Sequence, residues 1–168
     1  MSNVRRDWCL AALSGLVLCA CSGTPTRGPR APTAGTAAVA GAVLDDWHDA
    51  ASKADGARYF GHFTEDAVFL GSDASERWTI QEFQTQYGPF MESGRGWTCI
   101  PRDRFVTLGP RGQVAWVDEL LDHSTYGVWR GTGVLRWNGE TWRVAHYSMT
   151  FTIPNDVTPA VVEACKQQ

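Results

Sequence analysis

GVWRGTGVLRWNGETWRVAHYSMTFT, residues 127–152, decides the fold. Two runs rich in β-branched and aromatic residues flank Asn138-Gly139, which predicts strands over 127–137 and 140–152 joined by a tight turn. Asn-Gly predicts a type I′ turn, with positive φ at both residues. Gly131 and Gly133 lie in mid-strand, where glycine predicts a bend in a curved sheet rather than a phosphate-binding loop. Upstream the two-residue period continues through 97–108 and 113–121, interrupted at Gly109-Pro110-Arg111-Gly112. The C-terminal half therefore reads as a run of long antiparallel strands.

Before Trp97 the period is helical. Val39, Val43, Trp47, Ala50, Ala51 and Ala54 predict a helix over 39–54, with Thr36 as N-cap and Gly56 as its stop. A short helix over 57–63 presents Tyr59, Phe60 and Phe63, and a short strand covers 67–70. Thr79-Ile80-Gln81-Glu82 is a capping box, followed at helical spacing by Phe83, Tyr87 and Phe90 and closed by Gly94. Asp156 is placed to cap a last helix carrying Val157, Val161 and Val162. Helices first and strands after predict an α+β domain, with N-terminal helices packed on a curved, mainly antiparallel sheet.

The N-terminus speaks to location. Arg5 and Arg6 precede an apolar run, Trp8 to Leu18, that ends in Leu18-Cys19-Ala20-Cys21, the pattern of a secretory signal peptide over 1–20. At ~1.5 Å per residue the run reaches only about half of a ~30 Å hydrocarbon core, too short to span. Leu-Cys-Ala-Cys resembles the lipobox of bacterial lipoproteins, which makes Cys21 the lipidated residue. Cys19 fits worse, because bulky Leu18 would occupy the cleavage position. Residues 21–38 are rich in Pro, Gly, Thr and Ala and predict a flexible leash, leaving 39–168 as the folded domain. The expected location is the bacterial cell envelope, exported and membrane-anchored through lipid on Cys21. The domain carries 11 Lys and Arg against 17 Asp and Glu, a formal charge of −6, which argues against nucleic acid as partner. Cys99 and Cys165 are compatible with a disulfide or with two free thiols.

The resemblance is carried by Trp47-His48-Asp49-Ala50-Ala51, Tyr59-Phe60, Phe69-Leu70-Gly71, Glu76-Arg77-Trp78, Gly94-Arg95-Gly96-Trp97, Trp116-Val117-Asp118-Glu119-Leu120, Arg130-Gly131-Thr132-Gly133-Val134-Leu135 and Ile153-Pro154-Asn155. These strings, in this element order, resemble the SnoaL-like branch of the nuclear transport factor 2-like superfamily. Ketosteroid isomerase, scytalone dehydratase and polyketide cyclases share that cone-shaped fold. The resemblance implies a conical pocket between sheet and helices, and a homodimer, with Trp129 a candidate for its interface. Because the fold hosts enzymes, binders and scaffolds alike, it does not imply one activity.

Within that cone, Asp118, Glu119, Arg130 and His146 are the polar strand positions. In the last strand Trp142, Val144, His146, Ser148 and Thr150 alternate with Arg143, Ala145, Tyr147, Met149 and Phe151. Arg143 belongs in water, which turns Trp142 and His146 toward the cavity; the opposite phase would line it with Tyr147, Met149 and Phe151 instead. Asp118 and His146 then form a candidate acid–base pair, with an Asp118–Arg130 ion pair as the structural alternative. Tyr59, Trp78, Phe90, Trp97, Trp116 and Arg130 are the candidate pocket residues. His48 and His62 are expected on helix surfaces and His123 in a solvated turn. The four histidines show no metal-ligand spacing and no nucleotide-binding glycine turn is present, so neither a metal nor a cofactor is expected. The expected function is binding of a small apolar molecule. The alternatives are a cofactor-independent isomerase, dehydratase or cyclase using Asp118 and His146, and a non-catalytic envelope module.

Overall fold

Thr36 opens the folded chain: its Oγ1 accepts a hydrogen bond from the Val39 amide at 3.3 Å and starts helix α1, Ala37–Ser52. A computed structural model describes residues 35–167. The signal peptide, Cys21 and nearly all of the leash lie outside the described residues. Ala37 and Ala38, assigned to the leash by composition, already belong to α1.

The remaining elements follow the expected order. They are α2 (Gly56–Gly61), β1 (Phe63–Leu70), β2 (Arg77–Thr79), α3 (Ile80–Glu92), β3 (Ile100–Leu108), β4 (Val114–His123), β5 (Gly127–Trp137), β6 (Trp142–Phe151) and α4 (Thr158–Cys165). Six strands form one sheet in the order β2-β1-β6-β5-β4-β3. Every neighbouring pair is antiparallel except β1 and β6. The architecture is the curved α+β sheet expected, with an antiparallel majority and one parallel pair. Helix α1 lies against β3 and β6 while α3 covers β1 and β2, so the helices shield one sheet face, here called inner.

The core between these layers is aromatic. Trp47 stacks on Tyr59 at 5.2 Å and meets Tyr147 edge-on at 4.6 Å. All three are at least 98% buried. A buried aromatic ring removes about 150–250 Å² from water, worth up to roughly 5 kcal/mol each, so this cluster anchors α1 to the sheet.

Local expectations met four differences. The Asn138 hairpin forms, but over a four-residue loop between paired Trp137 and Trp142. Only Gly139 takes positive φ (105°), while the Asn138 side chain accepts from the Glu140 and Thr141 amides. An Asx turn thus replaces the type I′ turn, because the side-chain carbonyl supplies the closing acceptor. Strand β2 was not anticipated, being only three residues long. Asp156 does not cap α4, whose N-cap is Val157 with no side-chain bond. Helix α4 also buries none of its residues.

Two bulges matter more than these. In β6, Leu135 pairs with Val144 and Val134 with His146, which leaves Ala145 as an extra residue. In β3, Arg102 pairs with Leu120 and Phe105 with Asp118, so Asp103 and Arg104 both stand opposite Glu119. Asp103 takes φ +48°, the left-handed conformation that aspartate tolerates better than most residues. Each extra residue reverses the in–out alternation beyond it.

Candidate functional site

The β6 bulge turns Trp142 and Val144, then Tyr147 and Met149, toward the helices, and sends His146 to the outer face. The β3 bulge aims Arg104 inward. In β4 the inward residues are Ala115, Val117, Glu119 and Leu121, all buried, whereas Trp116 and Asp118 face out.

These shifts assemble a buried polar cluster around Glu119, whose side chain has no exposed surface. His48 Nε2 donates to Glu119 Oε1 at 3.0 Å, and the Tyr147 hydroxyl donates to the same oxygen at 2.6 Å. Arg104 Nε donates to Oε2 at 2.6 Å, and its Nη1 bonds Asp45 and the Gly41 carbonyl. Burial alone would raise the Glu119 carboxyl. The hydrogen bonds from His48 and Tyr147 and the Arg104 charge outweigh it and hold the group down to about 2. Burial and the adjacent Glu119 charge push the Tyr147 phenol well above its ordinary range. The Glu119 carboxylate accepts three hydrogen bonds, from His48, Tyr147 and Arg104, and so locks α1, β3, β4 and β6 together.

Gly131 and Gly133 make room for this arrangement. A Cβ at Gly133 would fall 2.7 Å from the Tyr147 ring, and one at Gly131 would collide with its hydroxyl. These glycines therefore mark where a side chain from β6 lies across β5.

Beside this cluster lies a cavity of about 350 Å³. It opens between α3, the β1–β2 segment, the chain after α3, and the inner ends of β4, β5 and β6. Phe69 and Phe83 stack at 4.2 Å and 10°, and Trp78 lies 13° from the Phe83 plane, giving one wall of near-parallel rings. Trp97, Phe90, Tyr87, Trp129 and Met149 supply the rest of the apolar lining. Cys99 also lines it, its thiol pushed up to about 11 by burial and then by the Glu119 charge. Glu76 and His123 bring the titratable groups of the rim. The His123 Nδ1 accepts from the backbone amides of Thr125 at 3.1 Å and Tyr126 at 3.3 Å.

Of the candidate pocket residues, Trp78, Phe90 and Trp97 line the cavity. Tyr59 stands one layer behind, its ring edge-on to Trp97 at 5.2 Å. Trp116 and Arg130 lie on the opposite, outer face, and both are exposed. Asp118 and His146 do not meet. Asp118 sits opposite Thr132 and His146 opposite Val134, so β5 separates them by two strand spacings, roughly 10 Å. Both point away from the cavity. Asp118 also forms no ion pair with Arg130, which is paired across the ladder with Leu120. The buried ion pair is Glu119 with Arg104 instead.

His48, expected on a helix surface, is buried. Its signal was present: it follows Leu44 by four residues and precedes Ala51 by three, both on the buried stripe of α1. The signal for Glu119 was its register opposite Gly131. Among the described residues, Cys99 and Cys165 are free, and no group of three or more His, Cys, Asp or Glu is placed to hold a metal ion.

A SnoaL-like domain family matches residues 41–154, the span of the sheet and its covering helices. The chain belongs to the SnoaL-like family. Solved structures agree on the fold. A Nostoc punctiforme domain of unknown function, described as cystatin-like, superposes with a TM-score of 0.60 at 17% identity, covering 77% of this chain and 86% of its own. An NTF2-like protein from Cytophaga hutchinsonii gives 0.59 at 13% identity, covering 70% and 99%. A candidate dehydratase of the NTF2-like family from Streptomyces avermitilis gives 0.58 at 14%, covering 70% and 96%. At such identities the likeness of this SnoaL-like domain to them is one of fold. A search of curated proteins finds no match.

Proposed function

We propose that this SnoaL-like domain binds a small apolar molecule in its aromatic cavity, while tethered to the bacterial cell envelope by lipid on Cys21. The observation that carries the reading is a cavity of about 350 Å³ walled by stacked rings, with no Lys or Arg among the described residues that line it. That volume lies at the lower end of the ~300–1,000 Å³ usual for small-molecule sites. Catalysis by Asp118 and His146 has no geometric support, and the buried carboxylate, Glu119, is held by three donors and is not among the described residues that line the cavity. Native mass spectrometry of the chain purified from its own host tests the reading. A bound small molecule is expected in the wild type and absent from Cys99→Trp, which fills the cavity. Unliganded protein in both would overturn it. Cys21→Ala is expected to release the chain from the membrane fraction.

A second copy of the chain is the partner we propose for the outer sheet face. Ile100, Phe105 and Trp116 are 61%, 63% and 49% exposed there. Asp118 and Arg130 lie on the same face with no ionic partner among the described residues, and a two-fold axis would pair each with the other's copy. The same spectra check this: a dimer mass is expected, reduced to the monomer by Trp116→Asp.

A further inference from the structure

We infer that the end of the sheet around the β4–β5 turn is a membrane-docking surface. Tyr126, Phe151, Ile153 and the apolar stripe of α4 rest there against a zwitterionic lipid bilayer. The inference rests on the tether proposed at Cys21 and adds an orientation, with the cavity turned toward the lipid.

The patch begins with rings that the chain leaves in water. Tyr126 is 61% and Phe151 45% exposed, although the two rings meet edge-on with centroids 6.3 Å apart. Trp129, which lines the cavity, lies 4.1 Å from Phe151 and 6.0 Å from Tyr126, so the exposed rings continue the cavity wall outward. Ile153 and Val157 carry the exposed apolar surface along the chain to α4. There Val157, Val161, Ala164 and Cys165 recur at helical spacing, with Glu163 and Lys166 on the other side. Exposed apolar residues scattered singly are ordinary, but a contiguous patch marks a surface made to be covered.

Helix α4 adds a second argument. It has eight residues, no side-chain cap and no buried residue. Isolated helices shorter than about 12–15 residues are marginal in water, and helices in proteins draw their stability from packing an apolar face. The described residues bury none of this face, so its cover comes from outside them.

Charge and reach favour a bilayer as that cover. Between Thr150 and Val162 the one charged residue is Asp156, and the turn from Ser124 to Val128 carries none. Tyrosine and tryptophan, apolar in body and polar at the tip, settle at the headgroup layer. Among the described residues no cluster of Lys or Arg stands on the patch to draw it to anionic lipid, which selects zwitterionic headgroups. The tether permits the orientation. The chain enters the domain at the far end of the sheet, where the Gly35 amide donates to the Gly112 carbonyl and the Trp142 indole to that of Thr36. Trp142 pairs with Trp137, which lies eight residues along β5 from Trp129, or about 27 Å. The fourteen residues from Cys21 to Gly35 reach about 48 Å when extended, enough to lay the patch on the membrane that holds the lipid.

Fluorescence quenching of the full lipidated chain, in phosphatidylcholine vesicles containing a headgroup-nitroxide lipid, tests this. A thiol-reactive fluorophore is placed on exposed Cys165 of the wild type. For comparison it is placed at position 140 of a Glu140→Cys, Cys165→Ser chain, in the hairpin at the opposite end of the sheet. The Cys165 probe is expected to be quenched several-fold more strongly than the probe at 140. Tyr126→Ser with Phe151→Ser should make the two equal, and the wild-type comparison stands whether or not that variant folds. Equal quenching, or stronger quenching at 140, would overturn the docking; a small molecule still found by native mass spectrometry would then leave the cavity reading standing. Energy transfer between labelled Cys165 residues of two chains in detergent, without vesicles, would assign the stripe to a second copy and overturn the bilayer. Chains that stay off the vesicles would bring down the tether and the docking together.

Discussion

Replacing Glu119 by Gln isolates the charge at the centre of the buried cluster without changing its shape. Glutamine stands in for the protonated carboxyl, so the difference between the two proteins is the stability contributed by ionisation. The Glu119 carboxyl lies at about 2 in the folded chain against 4.5 for a free one. A depression of that size corresponds to about 3 kcal/mol at neutral pH. The side chain has no exposed surface, so solvent screening does not reduce the figure. Removing one partner of a buried ion pair costs about 3–5 kcal/mol on independent grounds. Arg104 keeps Asp45 and the Gly41 carbonyl, which places the expected loss at the lower end. Because the folded value is depressed, this stability is fully present above about 4.5 and is lost as pH falls through about 2. Urea unfolding of both proteins from pH 7 to pH 3 should therefore show a gap of about 3 kcal/mol that begins to close below pH 4.5. A gap that stayed constant across that range would refute the electrostatic account and leave only a packing defect. No gap at pH 7 would remove the cluster from any role in holding α1 to the sheet.

Three further outcomes follow from the same geometry. Gly131→Ala should cost about 1–3 kcal/mol, because the new methyl collides with the Tyr147 hydroxyl. Adding Tyr147→Phe should recover part of the loss, and strict additivity in the urea double-mutant cycle would contradict the contact. Thr79→Ala removes the cap in which Thr79 Oγ1 accepts from the Glu82 amide at 3.3 Å, and should cost about 1 kcal/mol in thermal unfolding; an unchanged midpoint would mean α3 is held by packing alone. In the chain from Ser22 onward, a thiol reagent at pH 8 should modify exposed Cys165 promptly and Cys99 only on unfolding, since burial and then the Glu119 charge push the Cys99 thiol up. Two thiols reacting at one rate would show that the cavity wall opens.

What the sequence made legible was local, and what it hid was phase. The Thr79 capping box, the Asn138 hairpin and the stripe of α1 each depend on residues within a turn or two of one another, so the elements could be placed before any tertiary contact was known. The face a strand presents is different, because it is inherited from every residue before it. Alternation carried Trp142 and Val144 inward correctly, and the same rule carried on to His146. Ala145 breaks the count there, and Tyr147 takes the inward place. At Asp103 a second extra residue lets Arg104 turn inward as the counter-ion of Glu119. Neither bulge has a local marker comparable to Asn-Gly, since alanine and aspartate are unremarkable in a strand's sequence. The partners do carry a trace. Glu119 and Val117 pair with Gly131 and Gly133, and glycines aligned on one face of a central strand leave a slot that some neighbour must fill. Tyr147 is the large side chain on β6 that fills it, which fixes the inward phase of β6 and excludes His146 from the cavity in one step. The acid–base pair read from alternation, Asp118 with His146, and the buried pair in the fold, Glu119 with Tyr147, thus differ by one position along each of β4 and β6.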